Sequence, residues 1–141
     1  MNPRVYDEKK YDSAIVSYKR VLILNPNNIE ALTALGYVYQ LTNEYDSSII
    51  SYKQALQINP YSPPIFYNLG LAYVHQQKYA SAYTAFTEAI RINPEYAEAH
   101  YLLGCLYSLQ HDKDNALVEY KKLQPLDENM AKKLLDIINA K

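Results

Sequence analysis

The sequence predicts an all-α solenoid of stacked helical hairpins, and three observations predict it. Sequence features recur with a period of 34 residues along the 141-residue chain. A period of this size marks arrays of supersecondary units that cover one another's apolar faces. Within each period the apolar residues fall at steps of three and four, as in Leu32, Leu35, Tyr39 and again in Ile49, Tyr52, Leu56, which is the spacing of a helix face. Finally, the chain has only three glycines, too few for a turn-rich β-protein and none in a phosphate-binding loop.

The repeat holds position by position. Asn-Pro recurs at Asn25-Pro26, Asn59-Pro60 and Asn93-Pro94, and Leu-Gly at Leu35-Gly36, Leu69-Gly70 and Leu103-Gly104. Tyr39, Tyr73 and Tyr107 follow three residues after each glycine. Further columns are Tyr11, Tyr45 and Tyr79 (broken at Lys113), the small residues Ala14, Ser48, Ala82 and Ala116, the rings Tyr18, Tyr52, Phe86 and Tyr120, and Val21, Ala55, Ala89 and Leu123.

Taken in order, residues 1–28 form a partial first unit. Met1 to Lys10 is a remnant that Pro3 should interrupt, and a second helix runs from about Tyr11 to Leu24, its apolar face without a cover. The expectation is a fragment of a longer array, with self-association as a consequence. Complete units span 29–62, 63–96 and 97–126. Each has two helices parted by a polar break such as Thr42-Asn43-Glu44 or Gln76-Gln77-Lys78. Proline ends the second helix, because it lacks the amide hydrogen and clashes one turn back. Asn28 and Ser62 stand where a helix N-terminus needs a capping oxygen, and Pro63 takes the first helical position, where its missing donor costs nothing. Glycine inside a helix costs roughly 1 kcal/mol against alanine, so Gly36, Gly70 and Gly104 mark close helix crossings. The small-residue column should meet them from the partner helix, and the rings should fill the space between neighbouring pairs. Many tyrosine hydroxyls should reach the surface or a partner. Pro125 arrives three residues early, so the last long helix should stop near Gln124. Asp127 then caps a helix striped by Met130, Leu134, Ile137 and Ile138, a terminal cap (127–141) or the first helix of a fifth unit.

Composition excludes several functions. Lys plus Arg number 14 against 15 Asp plus Glu, without the basic excess of a nucleic-acid binder. No apolar run is long enough for a membrane helix, and the N-terminus lacks a signal-peptide core, so the default placement is cytoplasmic. Cys105 is the only cysteine; it reads as a small apolar residue, and it excludes a cysteine zinc cluster. No metal site is expected from His100, which falls in the core, and His111, which falls in a break. Asp112, Asp114 and Glu119 read as solvating surface acids. No catalytic constellation stands in a motif context, and no cofactor is expected. Sixteen tyrosines could stack nucleobases, but without a basic stripe their repeat-core positions argue for packing.

A 34-residue helix–turn–helix carrying Leu-Gly-x-x-Tyr, then a small residue, an aromatic and Pro resembles the tetratricopeptide repeat (TPR) over nearly the whole chain. The resemblance implies a right-handed α–α superhelix whose first helices line the concave side. It also implies groove-facing second, fifth, ninth and thirteenth residues: Glu30, Thr33, Tyr37 and Leu41; Pro64, Tyr67, Leu71 and His75; Glu98, Tyr101, Cys105 and Leu109. Tyr37, Tyr67 and Tyr101 lie outside the core columns. They are candidates for gripping a ligand, with space filling as the alternative reading. One subset of the family clamps two carboxylates with Lys, Asn, Asn, Lys and Arg. The matching positions here are Thr33, Tyr37, Asn68, Glu98 and Leu102; only Asn68 agrees, and Glu98 would repel an anion. The implied function is a non-catalytic protein-interaction module. It would bind an extended or helical peptide with apolar anchors and a basic residue, the peptide backbone held by the amide of Asn68. The alternatives are a self-assembling element, with homo-oligomers formed through the incomplete first unit, and a substrate-recruiting arm of a larger enzyme.

Overall fold

In the computed structural model the backbone is described for residues 3–140 and the side chains for residues 7–140. The described residues form eight helices: α1 (Pro3–Leu24), α2 (Ile29–Leu41), α3 (Tyr45–Ile58), α4 (Pro63–His75), α5 (Tyr79–Ile92), α6 (Ala97–Leu109), α7 (Lys113–Leu123) and α8 (Glu128–Asn139). Consecutive helices pack in pairs, α2 with α3, α4 with α5 and α6 with α7, and each pair packs on the next.

The helix ends follow local chemistry. Asn28 caps α2 by accepting from the Ala31 amide at 3.0 Å, and Asp127 caps α8 by accepting from Met130 at 3.0 Å. Asp112 likewise caps α7 through the Asn115 amide. Ser62 holds the cap position of α4 but makes no side-chain cap bond; Pro63 begins that helix and contributes no donor. Each hairpin turns through one residue in the left-handed region: Asn43 (φ 62°), Gln77 (φ 58°) and His111 (φ 61°), again 34 apart.

One expectation fails at the N-terminus. Pro3 does not interrupt a helix; it begins one, and α1 runs unbroken for 22 residues. Proline is tolerated in a first turn because the amide it lacks would have no partner there. The segment 3–10 is therefore a helical extension of α1 and not a remnant.

The core is built hairpin by hairpin. A Cβ added at Gly36 would lie 2.7 Å from the Tyr52 ring, and one at Gly70 would lie 2.5 Å from the Phe86 ring. Tyr52 and Phe86 are fully buried. The rings thus sit inside their own hairpin, on its glycine, rather than only between hairpins. Tyr52 also joins Ile65, Leu69 and Ala72 of the next pair in one cluster. Its hydroxyl donates to Gln40 Oε1, which keeps that oxygen satisfied in the interior. The small column meets the glycine through a hydrogen bond in one case, Ser48 Oγ donating to the Gly36 carbonyl at 2.7 Å. At Gly104 the pattern changes: a methyl added there would face Leu134 Cδ2 of α8, at 2.5 Å. The early Pro125 shortens α7 and brings α8 over the last hairpin, where Leu134 is fully buried with Leu123 and Ala131.

A second expectation fails at Glu119. It is not a solvating surface acid but is buried on α7, with its Oε2 2.6 Å from His100 Nδ1. His100, buried on α6, also places Nε2 2.6 Å from the Pro94 carbonyl. A carbonyl only accepts, so Nε2 carries a hydrogen. Nδ1 and the carboxylate must then share a proton. The hydrogen bond that Nδ1–H donates to the Glu119 carboxylate holds the imidazole pKa above its ordinary value, against the opposing effect of burial.

Candidate peptide groove

α2, α4 and α6 are the first helices of the three complete hairpins, and the positions expected to face a ligand lie on them. A groove of about 510 Å³ opens between α2 and α4, lined by Glu30, Thr33 and Tyr37 on one side and Pro64 and Asn68 on the other. Glu30, Thr33 and Tyr37 meet there because steps of three and four bring residues to one helix face. Tyr37 is 52% exposed. Glu30 is exposed in the first turn of α2. Thr33 Oγ1 is already committed, donating to the Ile29 carbonyl at 2.8 Å. The backbone carbonyl of Asn68 accepts from Gln40 Nε2 at 3.3 Å.

Between α4 and α6 the surface is aromatic and closer packed. Tyr67 lies against Phe86 (ring centroids 6.0 Å apart) and edge-on to Tyr96 (5.8 Å). Burial raises the Tyr67 pKa, and the nearby Glu98 carboxylate, Cys105 and Tyr101 raise it further. Those four residues therefore share one neighbourhood. Burial also pushes up the Cys105 thiol, which makes it a weak nucleophile. Tyr101 and Cys105 are half-buried against the cluster that α8 completes.

The expected residues thus separate into groups. Glu30, Thr33, Tyr37 and Asn68 share the α2–α4 groove, and Tyr67, Glu98, Tyr101 and Cys105 share the α4–α6 neighbourhood. Leu71 is half-buried against Ala82, Phe86 and Leu106, in the core more than on the wall. His75 stacks face to face on Tyr45, 4.9 Å between centroids and 7° between planes, so one face of its ring is already occupied. Leu41 and Leu109 are exposed at the far ends of their helices. Residue spacing gave no hint of Tyr96, because it stands one residue before α6 where the other units have Asn28 and Ser62; its being an aromatic in a capping column was the available signal. Among the described residues, no group of three His, Cys, Asp or Glu side chains is placed to hold a metal ion, and no helix is long and apolar enough to cross a membrane.

Sequence comparison matches the TPR repeat over residues 4–43, 41–77 and 70–110, and a tetratricopeptide repeat over 97–130. The chain belongs to the tetratricopeptide repeat family. No curated protein matches this TPR chain in sequence. Among solved structures, it is similar to MamA, with 26% identity, a TM-score of 0.79, and coverage of 98% of this chain and 91% of that one. It is also similar to a tetratricopeptide repeat protein from Parabacteroides merdae ATCC 43184, with 25% identity and a TM-score of 0.85 over 94% of this chain, which spans 54% of that one. A third similar structure is the first TPR of Spaghetti (RPAP3) bound to the HSP90 peptide SRMEEVD, with 25% identity, a TM-score of 0.71, and coverage of 77% of this chain and 89% of that one.

Proposed function

We propose that this TPR chain is a non-catalytic interaction module that binds a peptide segment of a partner protein along the wall formed by α2, α4 and α6. Units 29–62, 63–96 and 97–126 supply that wall; α1 contributes a second helix alone, and α8 closes the far end. The observation that carries the reading is the α2–α4 groove with a half-exposed tyrosine on it, a surface that apolar anchors can enter without disturbing the core. Glu30, Thr33, Tyr37 and Asn68 form one half of the site. Tyr67, Glu98, Tyr101 and Cys105 form the other, with Leu71 drawn toward the core behind them and His75 stacked on Tyr45 at the far end of α4. The bound peptide of the Spaghetti relative supports a peptide as the kind of ligand. A peptide library titrated against the protein tests this. Tyr37→Ala and Tyr67→Ala should each weaken the hits by about tenfold or more, since aromatic anchors are typical hot spots. Hits that ignore both substitutions would place the site elsewhere.

A second reading, self-assembly, is favoured by α1. Its Ala14 and Tyr18 are half-buried and Val21 is 38% exposed, whereas the equivalent Ser48, Tyr52 and Ala55 of α3 and Ala82, Phe86 and Ala89 of α5 are all at 0%. A second copy or another partner helix could cover that face. Light scattering across a dilution series decides: a monomer at every concentration removes this reading.

A further inference from the structure

Charge on this molecule is segregated. The sequences of α2, α4 and α6 contain no lysine or arginine, and their only acids are Glu30 and Glu98. The basic residues of the described chain lie instead on α1, on the second helices and on the loops and α8. On α8, Lys132 is engaged 3.7 Å from Glu128. Glu30 and Glu98 have no ion-pair partner among the described residues. In the α2–α4 groove, therefore, an unneutralised carboxylate, a half-exposed phenol ring and an amide with no side-chain hydrogen bond line one apolar trough.

We propose that the α2–α4 groove recognises an extended peptide through a lysine or arginine seated between the Glu30 carboxylate and the Tyr37 ring, with the amide of Asn68 on the peptide backbone and an apolar neighbour on Pro64. This rests on the groove reading above and adds the sign of the ligand's charge. Three complementary effects support one occupant class. The exposed carboxylate attracts the cation as a surface ion pair. The tyrosine face offers a cation–π contact within reach of the same charge. An amide that both donates and accepts can pair with an extended backbone. An acidic segment would meet repulsion at Glu30 and again at Glu98, with no lysine or arginine on α2, α4 or α6 to offset it.

The test uses four heptapeptide sublibraries, random except for a central residue fixed as Lys, Arg, Gln or Glu, together with the peptide SRMEEVD as an acidic probe. Binding is read by fluorescence anisotropy at low and at physiological salt. The Lys and Arg pools should bind about three- to tenfold more tightly than the Gln pool, as expected for a surface ion pair with a cation–π contact. Added salt should reduce that advantage. Glu30→Gln should remove most of the Lys advantage over the Gln pool, leaving only the share due to the Tyr37 ring; Glu30 is exposed, and a circular dichroism spectrum checks that the fold is kept. Equal binding of the Lys and Gln pools, with both weakened by Tyr37→Ala, would overturn the charge assignment and leave the groove standing. Preference for the Glu pool or for SRMEEVD would also overturn it. Binding by no pool at all would remove the groove reading as well.

Discussion

The buried pair His100–Glu119 should make the last hairpin of this protein sensitive to pH. The two side chains join α6 to α7, and the imidazole also ties α6 to the Pro94 carbonyl at the loop before it. Lys122, 54% exposed, approaches the other oxygen of Glu119 at 3.8 Å, and the Tyr107 hydroxyl on α6 feels the Glu119 charge. The His100 pKa is raised above 6.5 in the folded protein, first by the hydrogen bond with Glu119. A raised folded pKa means that the folded state holds its proton more tightly than the unfolded chain. The stabilisation is complete below about pH 6.5, where both states are protonated. It declines as pH rises past that value and is lost above the folded pKa. Removing one member of a buried pair leaves the other uncompensated, at a cost of about 3–5 kcal/mol. Out of the roughly 5–15 kcal/mol typical of a domain, that is a large share. Glu119→Ala should therefore lose about 3–5 kcal/mol in urea unfolding at pH 6. Glu119→Gln should lose about 1 kcal/mol or less, because its amide can donate to Nδ1 of a neutral imidazole while Nε2–H still serves Pro94. The stability of Glu119→Gln should also be flatter than wild type as pH rises past about 6.5. Parallel pH profiles for wild type and Glu119→Gln would refute the shared proton, and so would a loss under about 1 kcal/mol for Glu119→Ala.

Two further outcomes follow from the packing. Gly70→Ala places a methyl 2.5 Å from the fully buried Phe86 ring, an overpacking that costs about 1–3 kcal/mol against the ~1 kcal/mol gained in helix propensity. Gly104→Ala meets the branched end of Leu134, with Cδ2 at 2.5 Å, and an aliphatic side chain yields by rotation more readily than a buried ring, so thermal melts should show the first variant less stable than the second. At the hairpin turns, Gln77→Gly and His111→Gly relieve a left-handed backbone (φ 58° and 61°) that costs a side-chain-bearing residue roughly 1–2 kcal/mol. Both should raise the melting temperature by a few degrees. Asn43→Gly should gain less, because asparagine tolerates that conformation and its Oδ1 accepts from the Tyr45 hydroxyl at 2.9 Å.

Much of this fold is written in the repeat itself. A period of 34 with three- and four-residue apolar steps dictates paired helices, because each hairpin exposes a face that only the next can cover. Asn28 and Asp127 were readable as caps for the same local reason: an amide in the first turn needs an acceptor nearby. Local rules did not reach Pro3, whose effect depends on whether residues before or after it are helical. They did not reach Glu119 either. An acid in a charged stretch looks solvated until the hairpin closes and sets it against His100, 19 residues away in sequence. The replacement of a ring by Leu134 over Gly104 depended on how far the shortened α7 let α8 swing in, which no periodicity encodes.

For the groove, the sequence determined which residue types stand at which helix positions, and hence that Glu30 and Glu98 are the only acids on α2, α4 and α6, which have no lysine or arginine. Only the tertiary structure decided which of those residues share a surface. It set Glu30 and Tyr37 beside Asn68 across a gap between two helices, drew Leu71 toward the core and stacked His75 on Tyr45. Helical periodicity fixes direction around one axis, whereas the distance between side chains on different helices is set by the volumes packed between them.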